Sequence, residues 1–265
     1  MRDLILLKIG GSICTEKHSG RFIVRARVVR RLAKEISDAR SQKPFRLVVV
    51  NGAGPFGHAN VVEYDIRDGV KTARDFEGFV KTVSDCAFVN HAVSELLRKG
   101  GLLTFPYPAS SAVIQSRKKI ASFSLDPIKR LWDASEDIVP VIGGTMVPDL
   151  ETRGSIISGD TVIEYLAERL SPRLVVFATD VDGIFSDDPH RNRKARLFKE
   201  VTKASFARIR QGLKGSASTD VTGGMLGKVE KLLSLQAPSL IINGNRPGRV
   251  RDALLGNKVK GTLIG

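Results

Sequence analysis

Two cysteines in 265 residues are too few for a disulfide framework, and Cys14 and Cys86 show neither C-x-x-C pairing nor the mixed Cys/His spacing of a zinc site. Long apolar runs are missing as well. The first one, residues 4–7, is cut by Lys8, too soon for a signal peptide or a membrane span, so a cytoplasmic protein without a membrane partner is expected. Acidic residues are in deficit, 28 against 42 Lys and Arg, and the formal charge of +14 favours anionic partners. Nucleic acid competes for that field, yet the basic stretches 21–46 and 190–199 hold few aromatics for base stacking, and no nucleic-acid motif accompanies them. Phosphorylated small molecules fit the charge better. Internal repeats, low-complexity segments and long linkers are also absent. What remains is ordinary globular composition, 42% hydrophobic and 26% charged, at a length that suits one large α/β domain.

Short β-rich apolar runs occur at 4–9, 46–51, 102–107, 138–144, 173–179 and 239–245, with helical patterns at 24–40, 73–99, 159–170 and 225–236 between them. Continuously hydrophobic strands alternating with helices predict a mainly parallel sheet covered on both faces. Ligands of such sheets bind beyond the carboxyl ends of the strands. Several of these strands end in glycine turns: KIGGS, NGAGPFGH and VIGGT.

The second turn places Gly52, Gly54 and Gly57 in the G-x-G-x-x-G spacing of a dinucleotide fold. That fingerprint belongs on the first βα unit, with an acidic residue closing the next strand about twenty residues on. Here an earlier strand with its own Gly-Gly turn precedes it, the region around Asp75 has a helical pattern, and Pro55 stands inside the loop. A dehydrogenase is therefore set aside. The phosphate-loop pattern fails at Lys228, where Thr222 occupies the place of the first glycine and Val229 that of the hydroxyl residue.

Phosphoryl transfer asks little covalent work of a protein and much neutralisation of oxygen charge. Lys8 precedes Gly10, Gly11 and Ser12, Lys17 follows in the next loop, and Lys228 is expected to open a helix after STDVTGGMLG. Amides freed by glycine and a lysine beside them suit phosphates. Asp160 in SGDTVIEYLAERL reads either as a helix N-cap or as a carboxylate that holds two lysines in place. The segment TDVDGIFSDDP, with Thr179, Asp180, Asp182 and Gly183, reads as nucleotide contacts, as Mg²⁺ ligands or as a turn.

Taken in order, KIGGS, GAGPFGH, VIGG, SGDT, TDVDGIFSDDP and DVTGGMLGK resemble the motifs of the amino acid kinase superfamily, and within it those of the isopentenyl phosphate kinases. The resemblance implies a three-layer αβα sandwich. It implies an acceptor lobe over about 1–170 and a lobe for ATP with Mg²⁺ over about 171–265, in a homodimer without nucleic-acid partners. By position, Lys8, Lys17 and Lys228 would neutralise the transferred group, with His58 at the acceptor and Asp160 organising the lysines. Gly10, Gly11, Ser12, Gly54, Thr179, Asp180, Gly183 and Gly224, together with Lys8 and Lys228, would face the nucleotide. Ala53, Gly54, His58, Gly143 and Gly144 would surround the acceptor phosphate, and no protein residue is assigned to metal. The implied reaction is ATP-dependent phosphorylation of isopentenyl phosphate.

Departures from the resemblance fall in the acceptor loop. Ala53 stands where glycine is usual, Asn51 where histidine is common, and Pro55 removes an N–H that serine would offer. Another acceptor, such as fosfomycin or an acyl carboxylate, is the alternative. A non-catalytic nucleotide or nucleic-acid binder would have no need to keep Lys8, Asp160 and Lys228 together. For a hydrocarbon tail, Phe76, Phe79 and Val83 share one helical face, which core packing also explains.

Overall fold

The computed structural model describes residues 1–18, 21–187, 189, 192, 194–213 and 219–265, with only the backbone described for 211–213 and 219–226. The first half runs β1 (Leu4–Ile9), α1 (Gly11–Cys14), β2 (Thr15–His18), β3 (Arg21–Val24), α2 (Ala26–Gln42), β4 (Arg46–Asn51), α3 (Pro55–Glu63), α4 (Ala73–Lys99) and β5 (Leu103–Pro106). Next come α5 (Ala109–Ala112), β6 (Val113–Ser116), β7 (Lys119–Phe123), α6 (Asp126–Ala134), β8 (Ile138–Gly143), β9 (Thr145–Asp149), β10 (Arg153–Ile157) and α7 (Gly159–Leu170). The chain continues through β11 (Leu174–Thr179), β12 (Ile184–Phe185), β13 (Leu197–Phe198), β14 (Glu200–Val201), α8 (Lys203–Leu213), α9 (Thr219–Ser234), β15 (Ser239–Asn243), α10 (Arg249–Leu255) and β16 (Gly261–Ile264).

Eight strands form one sheet in the order β14-β16-β15-β11-β1-β4-β8-β5, parallel throughout except for the β15–β16 pair. All six strands expected from the sequence lie in it. Alternation along the strands sends Leu6, Val48, Val50 and Phe177 to one face, with Val162 and Leu166 of α7 and Leu232 of α9. Ile5, Leu7, Val49 and Val176 go to the other face, with Leu32 and Ile36 of α2, Val93 of α4 and Leu254 of α10. Two apolar layers on one sheet make the αβα sandwich that the sequence predicts. Not foreseen are a smaller sheet, β10-β9-β6-β7, and the hairpin β2–β3. The smaller sheet leaves the main one at β8, and its strand β9 begins two residues beyond Gly143.

α4 starts on a capping box in which Thr72 and Asp75 bond each other's backbone N–H. α7 starts on Ser158, whose hydroxyl accepts from the Thr161 N–H at 3.1 Å. Asp160 is thus not the N-cap, and its carboxylate is free for another use.

Candidate active site

Beyond the ends of the central strands each glycine turn extends the ladder by one bond. Gly10 N donates to Ala178 O at 2.9 Å, Gly52 N to Ile9 O at 2.9 Å, Gly144 N to Asn51 O at 3.1 Å and Gly244 N to Thr179 O at 2.8 Å. Four turns are thereby drawn to one edge. The backbones approach so closely that a Cβ on Gly52 would lie 2.5 Å from Gly11 N. Gly54 has φ +54°, and a side chain there would collide with Thr15 Oγ1. These glycines answer the fingerprint at 52–57: they permit turn-against-turn packing, and Gly57 lies inside the nine-residue α3. Pro55 is the first residue of α3, where its missing N–H costs no helical bond. Asn51 is fully buried and accepts from Asn90 Nδ2 at 2.8 Å, which fixes it behind the loop.

At the centre stands Asp160. Its Oδ2 lies 2.7 Å from Lys8 Nζ and its Oδ1 3.1 Å from Lys228 Nζ. Lys8 arrives from the end of β1 and Lys228 from α9, where its ammonium also sits 4.4 Å above the centre of the Phe177 ring. Burial opposes ionisation of Asp160, but the Lys228 and Lys8 ammoniums outweigh it and hold the carboxyl below its ordinary range. Burial in turn lowers the Lys228 ammonium from its ordinary value, with Asp160 opposing that shift. One carboxylate shared by two ammoniums leaves one positive charge in excess, suited to a phosphate.

A cavity of about 350 Å³ opens beside this node. Its polar lining includes Lys8, Ser12, His58, Thr82, Thr145, Ser158 and Asp160, together with the small residues Gly11, Ala53, Gly54, Gly144 and Gly159. The flanking elements supply an apolar part: Val61 one turn beyond His58 on α3, Cys86 of α4, Met146 of β9, and Ile156 and Ile157 of β10. A site that is cationic in one part and apolar in another can take an amphiphilic phosphate.

Lys8, Gly11, Ser12, Ala53, Gly54, His58, Gly144 and Asp160 line one cavity, and Lys228 joins them through Asp160. Gly143 lines a small neighbouring cavity with Asn90 and Ser110. Lys17 lies on strand β2 rather than in a loop, is exposed, and does not line the cavity. Lys228 does not open a helix, because α9 starts nine residues earlier at Thr219. Phe76 is 44% exposed, Phe79 and Val83 pack behind Val61 and Met146 in a satellite cluster, and none of the three lines the cavity.

Of the residues expected to face a nucleotide, Thr179 closes β11, and exposed Asp180 and Gly183 follow it. The Thr179 hydroxyl donates to the Val181 carbonyl at 3.1 Å. Asp182 is engaged by Arg249 at 2.6 Å and Lys260 at 2.7 Å, and so serves as a clamp in its turn rather than as a free metal ligand. Gly224 falls among the residues whose surroundings are not described.

Both cysteines are poor nucleophiles. Burial pushes the Cys14 thiol up to about 12 and the Cys86 thiol up to about 11. The Cys14 Sγ instead donates to Gly10 O and Gly52 O, at 3.4 Å and 3.2 Å. The cavity walls from β9 and β10, and the cap at Ser158, escaped sequence reasoning. Their one local signal is the run SIIS, which ends at the cap itself.

A profile of the Amino acid kinase family matches residues 3–250. The chain belongs to the amino acid kinase family. Within that family it is 34% identical to the isopentenyl phosphate kinase of Methanothermobacter thermautotrophicus, over 98% of both chains. It is 33% identical to the isopentenyl phosphate kinase of Methanocaldococcus jannaschii, again over 98% of both. An X-ray structure of isopentenyl phosphate kinase superposes with a TM-score of 0.83 at 31% identity, covering 98% of this chain and all of the other. The kinase fold thus extends over both sides of the cavity.

Proposed function

We propose that this member of the amino acid kinase family transfers a phosphoryl group from ATP to the phosphate of isopentenyl phosphate, giving isopentenyl diphosphate. The carrying observation is the Lys8–Asp160–Lys228 node beside a cavity with a partly apolar lining. Near full-length likeness to isopentenyl phosphate kinases supports the same acceptor.

ATP supplies the γ-phosphoryl group when bound. In this reading Lys8 and Lys228 neutralise the oxygens of the group in transit, and Asp160 holds both ammoniums at the spacing that this requires. His58 at the cavity wall donates to the acceptor phosphate, with the amides of Ala53, Gly54 and Gly144 around it. The acceptor phosphate is already ionised, so no side chain has to remove a proton, and neither thiol is available to form a covalent intermediate. Val61, Met146, Ile156 and Ile157 take the hydrocarbon.

Acceptor residues lie within about 1–170 and nucleotide residues, Thr179, Asp180, Gly183 and Gly224, mainly within about 171–265. Lys17 on its hairpin belongs to the proposal as a residue that reaches the phosphates only when they are bound. Mg²⁺ does not fit a protein cage here: Asp160 and Asp182 are taken by cations, and among the described residues no group of three or more His, Cys, Asp or Glu could hold it. Mg²⁺ belongs to the proposal as an ion that the phosphates of ATP would carry, rather than one held by carboxylates of the chain. A cytoplasmic homodimer completes the proposal, and light scattering in solution tests the dimer.

An ADP-release assay over a panel of acceptors tests the function. Turnover with isopentenyl phosphate and none with fosfomycin or acyl carboxylates is the expected result. Turnover confined to the latter acceptors overturns it.

A further inference from the structure

The sheet fixes the roots of the glycine turns but not their tips. α1 is only four residues long, and so short a helix leaves its last carbonyls without internal partners. Arg25, just before α2, supplies one. Its Nη1 donates to the Ser12 carbonyl at 2.8 Å and lies 3.4 Å from that of Ile13. The same nitrogen donates at 3.0 Å to Asn245 Oδ1, 220 positions away in the turn between β15 and α10. Asn245 N–H in turn donates to Asn243 Oδ1 at 3.0 Å. Asn243 Nδ2 then reaches the Asp180 carbonyl at 3.1 Å and Asp182 Oδ1 at 3.2 Å. Through Asn245 and Asn243 a single guanidinium thus joins the turn at Gly10–Ser12, on the cavity, to the turn at Asp180–Gly183, beyond β11.

The far end of this connection is anchored independently. Arg31 Nη2 donates to Gly244 O at 2.5 Å, and Glu35 Oε2 accepts from Val250 N at 3.1 Å and Arg251 N at 3.3 Å, at the start of α10. The β15–α10 turn therefore stays docked on α2 without Arg25. What Arg25 adds is the link from that docked turn to α1.

We infer that Arg25 and Asn245 form a positioning strut that sets the spacing between the cavity-side turn and the nucleotide-side turn, and so aligns donor and acceptor. The inference rests on the reading of the site given under Proposed function. In-line transfer is sensitive to such spacing, since a misplacement of about 1 Å costs on the order of 10²-fold in rate. Neither side chain lines the cavity, so the strut acts on kcat more than on acceptor affinity. Glu16, 3.6 Å from Arg25 Nε and 52% exposed, is a surface partner that contributes little.

Arg25→Ala, Asn245→Ala and the double variant are compared with the wild type by steady-state kinetics in both substrates, thermal melting and amide hydrogen exchange. Each single variant should lower kcat by about 10- to 100-fold while both KM values stay within about threefold. The double variant should be no worse than the weaker single one, because one contact is lost in all three. Exchange should rise in both segments, 10–14 and 243–247, whichever partner is removed, and Arg25→Lys should recover part of kcat. Multiplicative losses in the double variant, exchange confined to the altered residue's own segment, or a lowered Tm with kcat intact would overturn the strut. A wild-type protein inactive on isopentenyl phosphate would overturn the substrate reading instead, and the exchange pattern would still decide the strut.

Discussion

The cavity and the tip of the smaller sheet are each organised by an aspartate, and they are built in opposite ways. Asp160 faces two ammoniums. Asp149, 4% exposed, takes neutral donors: the N–H groups of Arg117, Lys118, Glu151 and Thr152, and the Ser155 hydroxyl. Burial opposes ionisation in both, and is outweighed by cations in the one and by backbone N–H bonds in the other. Those donors serve backbone shape, because Arg117 and Lys118 hold φ of 50° and 64°, a left-handed pair that costs energy without glycine. A carboxylate satisfied by neutral donors holds a conformation, whereas one satisfied by lysines holds charge that an arriving phosphate can share. Burial and a lowered pKa do not separate the two cases; the charge of the partners does.

The largest expected effects lie at the cavity. Lys8→Ala, Lys228→Ala and Asp160→Asn should each lower kcat by about 10² to 10³ in protein that remains folded, the usual worth of preorganised charge. Ser158 keeps the cap of α7 in every one of these variants, so helix fraying does not compete as an explanation. An Asp160→Asn protein with lowered Tm and unchanged specific activity would move Asp160 into the same class as Asp149. Next in size is His58→Ala. A lost charge-assisted hydrogen bond, with some loss of alignment, should lower kcat/KM for isopentenyl phosphate by about 10² and leave the KM for ATP nearly unchanged. Weakened ATP binding with the acceptor spared would show that the two substrates have been placed in each other's lobes.

At the sheet tip the pattern should reverse. Asp149→Asn puts an NH₂ group among N–H donors and should cost about 2 to 3 kcal/mol of stability by chemical denaturation. Per folded molecule, kcat should stay within about threefold. A matching fall in kcat would mean that the smaller sheet transmits strain to Gly144 through β9, and the contrast between the two regions would then fail.

How far each region was legible in the sequence follows from the same chemistry. Five of the six expected strands announce themselves because burial on both faces demands unbroken runs such as LILLKI and RLVVVN, while the four-residue edge strand β5 shows only through the apolar run LLTFPY around it. Lys8, Asp160 and Lys228 are visible as charged residues beside glycine turns. The smaller sheet is not visible: β6 has four residues, and its hairpin turns on Arg117 and Lys118 rather than on Asn or Gly. Since β9 and β10 wall the cavity, its apolar lining was hidden with them, and the helical face of Phe76, Phe79 and Val83 stood in for it. Lys228 was misplaced for a similar reason, because glycines at 223, 224 and 227 read as a loop although the helix runs through them.

Acid titration offers the smallest and most selective test of the contrast, through a third aspartate that mixes both designs. Asp182 accepts from Asn243 at 3.2 Å and pairs with Arg249 at 2.6 Å and Lys260 at 2.7 Å. Burial works against its ionisation, but the bonds from Lys260 and Arg249 prevail and lower its pKa from 3.8 to about 2. Because the folded-state value is the lower one, the unfolded chain takes up this proton first. The stabilisation is therefore complete above about pH 4 and is lost as the pH falls toward 2. A shift of that size corresponds to about 2 kcal/mol. The side chain of Lys260 is 59% exposed, so solvent screening brings the expected contribution to about 1 kcal/mol. Denaturant midpoints measured at intervals between pH 5 and pH 2 should consequently fall more gently in Asp182→Asn than in the wild type, with kcat at neutral pH within about twofold. Parallel acid limbs would show that Arg249 and Lys260 add nothing net at Asp182. A large loss of kcat at neutral pH would place this clamp with Asp160 as part of the phosphoryl-transfer machinery.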